Sequence, residues 1–213
     1  LDPDQRYGTS YLVATRSALA PYTVPKFSPG KTAKNLAALS KAPAAVKPAP
    51  SKSPAWFVGK KAYRADKPTV LLCAHISGHQ LFGGERSFLD VLGALDRMKL
   101  NVVVTLPSSN NKSYIEEIAA LSMGIHAFPY PQWVANRAID PALTLIFSDI
   151  IGAHNVSIVY VNSIVLIEPL VAAKKMGRLA VVHARELITI DDALRERIGE
   201  PVQTIIKTVF DRT

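Results

Sequence analysis

The stretch TVLLCAHISGHQLFGGERSFLDVLGAL (residues 69–95) combines three patterns that together predict the fold. It begins with a short apolar run, which is typical of a buried strand. Two adjacent glycines, Gly83 and Gly84, follow this run. After them, apolar residues recur at positions 88, 89, 91, 92 and 95, which is the spacing of one helix face. The stretch therefore predicts a strand, a glycine turn and a helix in that order.

Four more apolar runs with strand character follow, and helical patterns separate them. With the first strand, the predicted strands cover 69–75, 101–107, 125–130, 156–163 and 178–184. The predicted helices cover 84–98, 113–124, 141–154, 168–177, 191–199 and 201–210. Alternating strands and helices are typical of a parallel, doubly wound sheet with helices on both faces. The predicted fold class is therefore α/β and Rossmann-like.

The basic charge of the chain lies in one part of it. Residues 1–68 hold 12 Lys/Arg and 3 Asp/Glu, a net charge of +9, together with 9 of the 15 prolines. Residues 69–213 hold 13 Lys/Arg and 14 Asp/Glu, a net charge of −1. We predict a basic, Pro/Ala/Lys-rich extension and linker over 1–68 and one globular domain over 69–213. Because this domain is nearly neutral, no nucleic-acid partner is expected.

The sequence lacks the segments and motifs of several other protein classes. No stretch has the length and apolar content of a membrane-spanning helix, and no basic-then-apolar signal segment opens the chain. The single cysteine, Cys73, lies in an apolar run and is interpreted as a small buried hydrophobe, which fits a reducing compartment. The H-E-x-x-H and C-x-x-C motifs are absent, so no metal site is predicted.

The glycine pair lies where a doubly wound sheet binds its ligands, beyond the carboxyl ends of the strands. Gly83 and Gly84 let a ligand approach the backbone, and the helix that starts there offers free N–H groups to a phosphate. The alternative is a tight turn in which Glu85 is favourably placed in the first turn of a helix. The fingerprint G-x-G-x-x-G and the P-loop motif are both absent, which disfavours ordinary NAD enzymes and P-loop NTPases.

Two further strands also end in polar residues. The stretch VVHARE places His183, Arg185 and Glu186 after the fifth strand. There His183 can bond a hydroxyl or phosphate and Arg185 can hold a carboxylate or phosphate, unless Arg and Glu simply pair to rigidify a loop. The stretch YVNS places Asn162 and Ser163 after the fourth strand, where they either line a cleft or cap the next helix.

The order and spacing of GGERS, VYVNS and VVHARE resemble the N-terminal domain of family-4 retaining glycosyltransferases of the GT-B architecture, over about residues 69–200. The resemblance implies two Rossmann-like domains that face each other across a cleft. Gly83 and Gly84 match the family's glycine loop, which approaches the donor diphosphate, and His183 matches the histidine that contacts the transferred sugar. With His183 as the catalytic residue, the candidate ligand-binding residues are Gly83, Gly84, Glu85, Arg86, Asn162, Ser163, Arg185 and Glu186.

The resemblance also implies an activity. A sugar would pass from a nucleotide-sugar donor to a glycan or lipid-linked acceptor, with retention at the anomeric carbon and without a metal or other cofactor. In the family, a Glu, seven residues, Glu signature marks the C-terminal donor-binding domain, and this signature is absent from residues 69–213. The chain is therefore expected to supply the acceptor side of the enzyme and to be inactive without the donor-binding domain.

Two other functions stay open from the residues alone. One is a different Rossmann-like enzyme that binds a nucleotide or sugar phosphate, and the other is a non-catalytic module that docks through its basic extension. An anionic membrane surface is a candidate partner for that extension, since each basic residue near such a surface contributes about 1 kcal/mol. A solvated linker is the alternative. The expected location is cytoplasmic, peripheral at the inner face of the membrane.

Overall fold

The computed structural model describes residues 11–14, 54–78 and 80–213, so most of the predicted extension over 1–68 lies outside the described residues. In the described part of the chain, seven strands form one sheet. They are β1 (Tyr11–Ala14), β2 (Ala55–Val58), β3 (Thr69–Cys73), β4 (Asn101–Leu106), β5 (Gly124–Ala127), β6 (Val156–Val161) and β7 (Leu179–Ala184). Their order across the sheet is β1-β7-β6-β3-β4-β5-β2.

The sheet is mostly parallel. Its five central strands, from β7 across to β5, are parallel, and the edge strands β1 and β2 are antiparallel to their neighbours. From β3 the chain moves outward to β4 and β5, and then returns to β6 on the other side of β3. The carboxyl ends of β3 and β6 therefore form the switch point at which sheets of this kind bind ligands.

Helices cover both faces of the sheet, as the alternating pattern predicts. They are α1 (Gly83–Arg97), α2 (Lys112–Leu121), α3 (Pro141–Ala153), α4 (Glu168–Lys175), α5 (Asp192–Ile198) and α6 (Val202–Phe210). The predicted α/β class, a mostly parallel sheet flanked by helices, is confirmed. Among the described residues, no helix combines the length and the apolar character needed to cross a bilayer.

Two apolar cores lie on the two faces of the sheet, and β3 contributes to both. Leu72 packs with the buried side chains of α1 and α2, whereas Leu71 and Cys73 pack with those of α3, α4, α5 and α6. Every residue of β3 is buried, in agreement with its apolar sequence. Burial raises the pKa of Cys73 to about 12, so this thiol is a packing group rather than a nucleophile.

Residues 54–68, which the sequence analysis assigned to the extension, lie in the same compact unit as residues 69–213. Strand β2 pairs with β5 and becomes an edge of the sheet. The Trp56 ring lies directly over Gly124, where a side-chain Cβ would come within 2.1 Å of it. Asn101 fixes the next turn, since its side-chain amide donates to the carbonyls of Arg64 and Lys67 at 2.7 and 2.8 Å.

Candidate functional site

The site starts at the N-terminus of α1, which the protein leaves uncapped. Phe82 is the N-cap residue, and it provides no side-chain hydrogen bond because a phenyl ring has no acceptor oxygen. The first intrahelical bond runs from the Arg86 amide to the Phe82 carbonyl at 3.1 Å. The amides of Gly83, Gly84 and Glu85 come before that bond and have no intrahelical acceptor; those of the two glycines are the ones that an anion can reach, because Glu85 is buried.

The two glycines have different surroundings. A Cβ added to Gly83 would meet no atom within 4 Å, so this position faces open space. A Cβ added to Gly84 would lie 3.2 Å from the Ile76 side chain, 3.4 Å from Arg185 Nη1 and 3.4 Å from His75 Cε1. Gly84 therefore allows the close packing of Arg185 and His75 against the helix, whereas Gly83 faces open space.

Glu85 bonds backward to the loop that precedes α1. The residue is 1% exposed, and its carboxylate accepts hydrogen bonds from the amides of Gly78 at 3.0 Å and Phe82 at 3.1 Å. The same loop is held at Gly78, whose carbonyl accepts from the Asn111 side chain at 2.8 Å. The structure thus assigns Glu85, one of the candidate ligand residues, to fixing the loop between β3 and α1.

Arg185 joins the end of β7 to the start of α1. Its Nη2 donates to the Gly83 carbonyl at 3.1 Å, although the two residues are 102 positions apart in the chain. Together with His75, Gly84 and Glu186 it lines an open cleft of about 820 Å³, whose rim carries the exposed side chains of Phe82 and Ile190. Arg185 is therefore a cationic group beside the amides at the start of α1.

Glu186 holds the ends of β6 and β7 together. Its carboxylate accepts from the Ser163 hydroxyl at 2.5 Å, from the Arg185 amide at 3.2 Å and from the Ile164 amide at 3.4 Å. Ser163 is fully buried. The predicted Arg–Glu side-chain pair is replaced by this network, in which Glu186 and Ser163 position the loops around the cleft.

His183 and Asn162 form a buried pair below the loops. Their atoms Nδ1 and Oδ1 are 3.1 Å apart, and the exposed fractions are 8% for His183 and 0% for Asn162. Burial and the nearby Arg185 lower the pKa of His183, and Glu186 partly opposes this. The imidazole is therefore neutral at pH 7. His183 is not among the cleft-lining residues, so the predicted catalytic histidine lies deeper than expected.

The imidazole that lines the cleft belongs to His75, the last residue of the first predicted strand (69–75), which the sequence analysis did not select as a site residue. Its Nδ1 is buried and has no hydrogen-bond partner among the described residues. Burial lowers its pKa, so the ring is neutral at pH 7. The sequence offered one indication that His75 belongs to the site, which is its position two residues after the end of β3. A strand-end histidine becomes informative once the switch point is known to lie there.

The remaining predicted residue, Arg86, lies on the exposed side of α1 and is not part of the cleft lining. Four acidic residues line the cleft, namely Glu85 and Glu186, whose hydrogen bonds are given above, and Asp191 and Asp192, which also have partners. Asp191 accepts from the Leu194 amide at 2.9 Å as the N-cap of α5, and Asp192 pairs with Arg195. Among the described residues, no group of three or more His, Cys, Asp and Glu is placed to hold a metal ion.

In chemical terms, the cleft combines donors for an anion with neutral imidazole. The uncapped amides and Arg185 form a donor set that suits a phosphate or diphosphate. The neutral ring of His75 lies beside them and can exchange hydrogen bonds with a hydroxyl. Comparisons of the chain with protein-family models, with curated proteins and with solved structures found no match.

Proposed function

We propose that residues 54–213 form the acceptor-side domain of a retaining glycosyltransferase of the GT-B architecture. The whole enzyme would transfer a sugar from a nucleotide-sugar to a glycan or lipid-linked acceptor. One observation carries the proposal: the uncapped first turn of α1 meets Arg185 in an open cleft at the carboxyl edge of the sheet. The order of the five parallel strands supports it, because that order places the cleft beside the switch point.

In this function the amides of Gly83 and Gly84 bind the donor diphosphate together with Arg185. As the sugar–phosphate bond breaks, negative charge grows on the departing diphosphate. Fixed N–H groups and a guanidinium stabilise that charge without having to reorganise. Gly84 has no side chain, which leaves room for Arg185 beside the phosphate, and the side of Gly83 on which a Cβ would lie is open.

Two imidazoles are available for the sugar. His183 matches the family's sugar-contacting histidine, and because Asn162 engages its Nδ1, Nε2 is the nitrogen that can face a ligand. His75 lines the cleft directly. Both rings are neutral at pH 7, so each can accept a hydrogen bond from a sugar hydroxyl.

The proposal extends to partners outside the described residues. A C-terminal domain would bind the nucleotide and most of the donor sugar. The basic residues within 1–68 would hold the enzyme at an anionic membrane surface from the cytoplasmic side.

Ligand binding by this chain tests the first step. We would titrate the ¹⁵N-labelled chain with uridine diphosphate, guanosine diphosphate and inorganic pyrophosphate, and follow the amide resonances by NMR. The resonances of Gly83, Gly84 and Glu85 are expected to shift together, and Arg185→Gln should reduce the affinity about tenfold or more, as expected for a lost charge-assisted bond. Arg86→Gln, an exposed neighbour, is the matched control and should bind normally.

Transfer by the full-length protein tests the reaction. Incubation with a panel of nucleotide-sugars and candidate acceptors should yield a product whose anomeric configuration, measured by NMR, equals that of the donor. Gly84→Val should abolish transfer while the circular dichroism spectrum stays unchanged, because the larger side chain displaces Arg185 and His75. Nucleotide binding without transfer would favour a different nucleotide-binding enzyme, and absence of both would favour a non-catalytic module.

A further inference from the structure

A second pair of histidines lies near the β2 edge of the sheet, away from β7. His126 is in β5, and His154 is the C-cap residue of α3. Their Nε2 atoms are 2.8 Å apart, and both side chains are half-buried. The function proposed above uses neither residue.

Trp56 packs beside the two rings. Its indole lies 4.5 Å from the His126 ring and 5.3 Å from the His154 ring, measured between centroids, and it is stacked on the latter at an interplanar angle of 26°. Gly124 in turn makes room for the indole. Since one ring is on a strand and the other ends a helix, the pair is arranged by the fold itself and does not depend on a mobile loop.

We propose that His126 and His154 form a binding site for a divalent transition-metal ion, with Cu²⁺ preferred. Imidazole nitrogen is a good ligand for Cu²⁺, Ni²⁺ and Zn²⁺. Two nitrogens that are each about 2.0 Å from one ion and at a right angle to each other lie about 2.8 Å apart, whereas tetrahedral angles separate them by about 3.3 Å. The observed spacing is that of a hydrogen bond, and it brings both nitrogens within reach of one ion; at such a nitrogen site Cu²⁺ is bound more tightly than Zn²⁺.

Binding exchanges the hydrogen bond between the two rings for two bonds to the ion. In the metal-free pair one ring donates Nε2–H to the other. On binding, that proton moves through water to Nδ1 of the same ring, so both Nε2 lone pairs coordinate and no net proton is released.

Water completes the coordination sphere, because no third His, Cys, Asp or Glu among the described residues joins the two histidines. An ion bound in this way would connect β5 to the end of α3. A ligand that binds only the folded state raises its stability according to mass action. The site is consequently expected to raise the melting temperature in proportion to the logarithm of the Cu²⁺ concentration.

Trp56 makes the test direct, because bound Cu²⁺ quenches the fluorescence of an adjacent indole. We would titrate the chain with CuCl₂, NiCl₂ and ZnCl₂ at pH 7 and follow tryptophan fluorescence, with calorimetry for the stoichiometry. One equivalent of Cu²⁺ should bind and quench, and its affinity should exceed that for Zn²⁺ by about tenfold or more. Electron paramagnetic resonance of the Cu²⁺ complex should show two coordinated nitrogens.

Variants decide whether the pair is responsible. His126→Gln and His154→Gln should each lose the quenching and the calorimetric signal, while His75→Gln, which removes a histidine of the cleft, should keep both. Trp56→Phe should bind Cu²⁺ normally by calorimetry but lose most of the quenching. Equal Cu²⁺ binding by wild type and both pair variants, or Zn²⁺ binding as tight as Cu²⁺ binding, would overturn the proposal.

Discussion

Helices α1 and α3 begin in opposite ways. At α3, Asp140 is the N-cap residue, and its carboxylate accepts from the amides of Ala142 and Leu143 at 2.8 and 3.4 Å. At α1, the N-cap is the apolar Phe82, and two glycines follow it. The positive end of α3 therefore carries its own anion, whereas that of α1 is left for an anion from outside. A helix start that lacks a cap but faces a cleft is a better indication of a ligand site than a glycine pair alone.

The acidic residues near these two helix starts also differ in the groups that they bond. Asp140 neutralises the helix that it precedes, but Glu85 lies inside the first turn of α1 and bonds backward to the loop. Glu85 therefore fixes the loop beside the cleft and leaves the amides of the two glycines without a side-chain acceptor. Each of the four predictions below changes groups near one or both of these helices. They run from the largest expected effect on stability to the smallest.

Removal of the Glu85 carboxylate should have the largest effect on stability. Glu85→Ala leaves two loop amides without an acceptor, so the free energy of unfolding should fall by about 2–4 kcal/mol. Urea denaturation followed by circular dichroism measures this change. Glu116→Ala, an exposed position on α2, is the control and should change stability by less than about 0.5 kcal/mol. If both variants unfold alike, Glu85 does not hold the loop.

The sequence predicts most of the sheet because its central strands are buried on both faces. Such strands are continuous apolar runs, and the structure reproduces all five of them with shifts of a few residues at their ends. The edge strands are apolar runs too, YLVA and AWFV, but each has only four residues and lies within the segment that the sequence analysis assigned to the extension. Strand β2 is largely exposed and lies beside a segment rich in proline and lysine, and its place in the sheet depends on a contact between Trp56 and Gly124. Pairings that are distant in sequence leave little trace in local composition.

At the candidate site, the sequence predicts which residues lie at the edge of the sheet better than it predicts their hydrogen-bond partners. The topology brings the ends of β3 and β7 to one edge, so Gly84 and Arg185 meet as expected. The direction of each side chain depends on tertiary contacts. Glu85 faces the loop, Glu186 bonds Ser163 rather than Arg185's guanidinium, and His183 lies below the cleft. Hydrogen bonds of this kind form between residues far apart in the chain, which a local pattern cannot reveal.

Acid should destabilise the protein through the histidines near both helices. His75 packs against the start of α1, and His154 ends α3 beside His126. All three have lowered pKa values, so below about pH 6.5 the unfolded chain binds more protons than the folded one and stability falls. For His126 the loss extends from about pH 6.5 down to its folded pKa of about 4.

The size and origin of this loss can be measured from melting temperatures between pH 8 and pH 4. Because the His126 ring is half-exposed, solvent screening reduces its contribution to about 1–2 kcal/mol. His126→Gln should flatten that part of the profile, and His75→Gln should flatten a smaller part. A wild-type profile that is level between pH 7 and pH 5 would contradict the assignment.

Loss of the cap on α3 should have a moderate effect. Asp140→Ala removes the acceptor for two first-turn amides, and such changes cost about 1 kcal/mol. Asp149→Ala removes an exposed carboxylate from the same helix without touching its start, so it serves as the control in urea denaturation. Nucleotide binding should be unchanged in both variants. Reduced diphosphate affinity in Asp140→Ala would mean that α3, and not only α1, contributes to the ligand site.

The last prediction concerns a substitution that gives α1 an aspartate N-cap like that of α3. Phe82 is 62% exposed and has the extended backbone of an N-cap residue, so aspartate fits there without strain. Phe82→Asp should raise the stability by about 0.5 kcal/mol, since its carboxylate caps the open amides. The same carboxylate occupies the anion position, so binding of uridine diphosphate and pyrophosphate should be lost. Phe82→Ala, which removes the ring but adds no cap, is the matched control and should still bind pyrophosphate. If Phe82→Asp binds pyrophosphate as tightly as wild type, the first turn of α1 is not where the anion lies, and Arg185 must hold it elsewhere in the cleft.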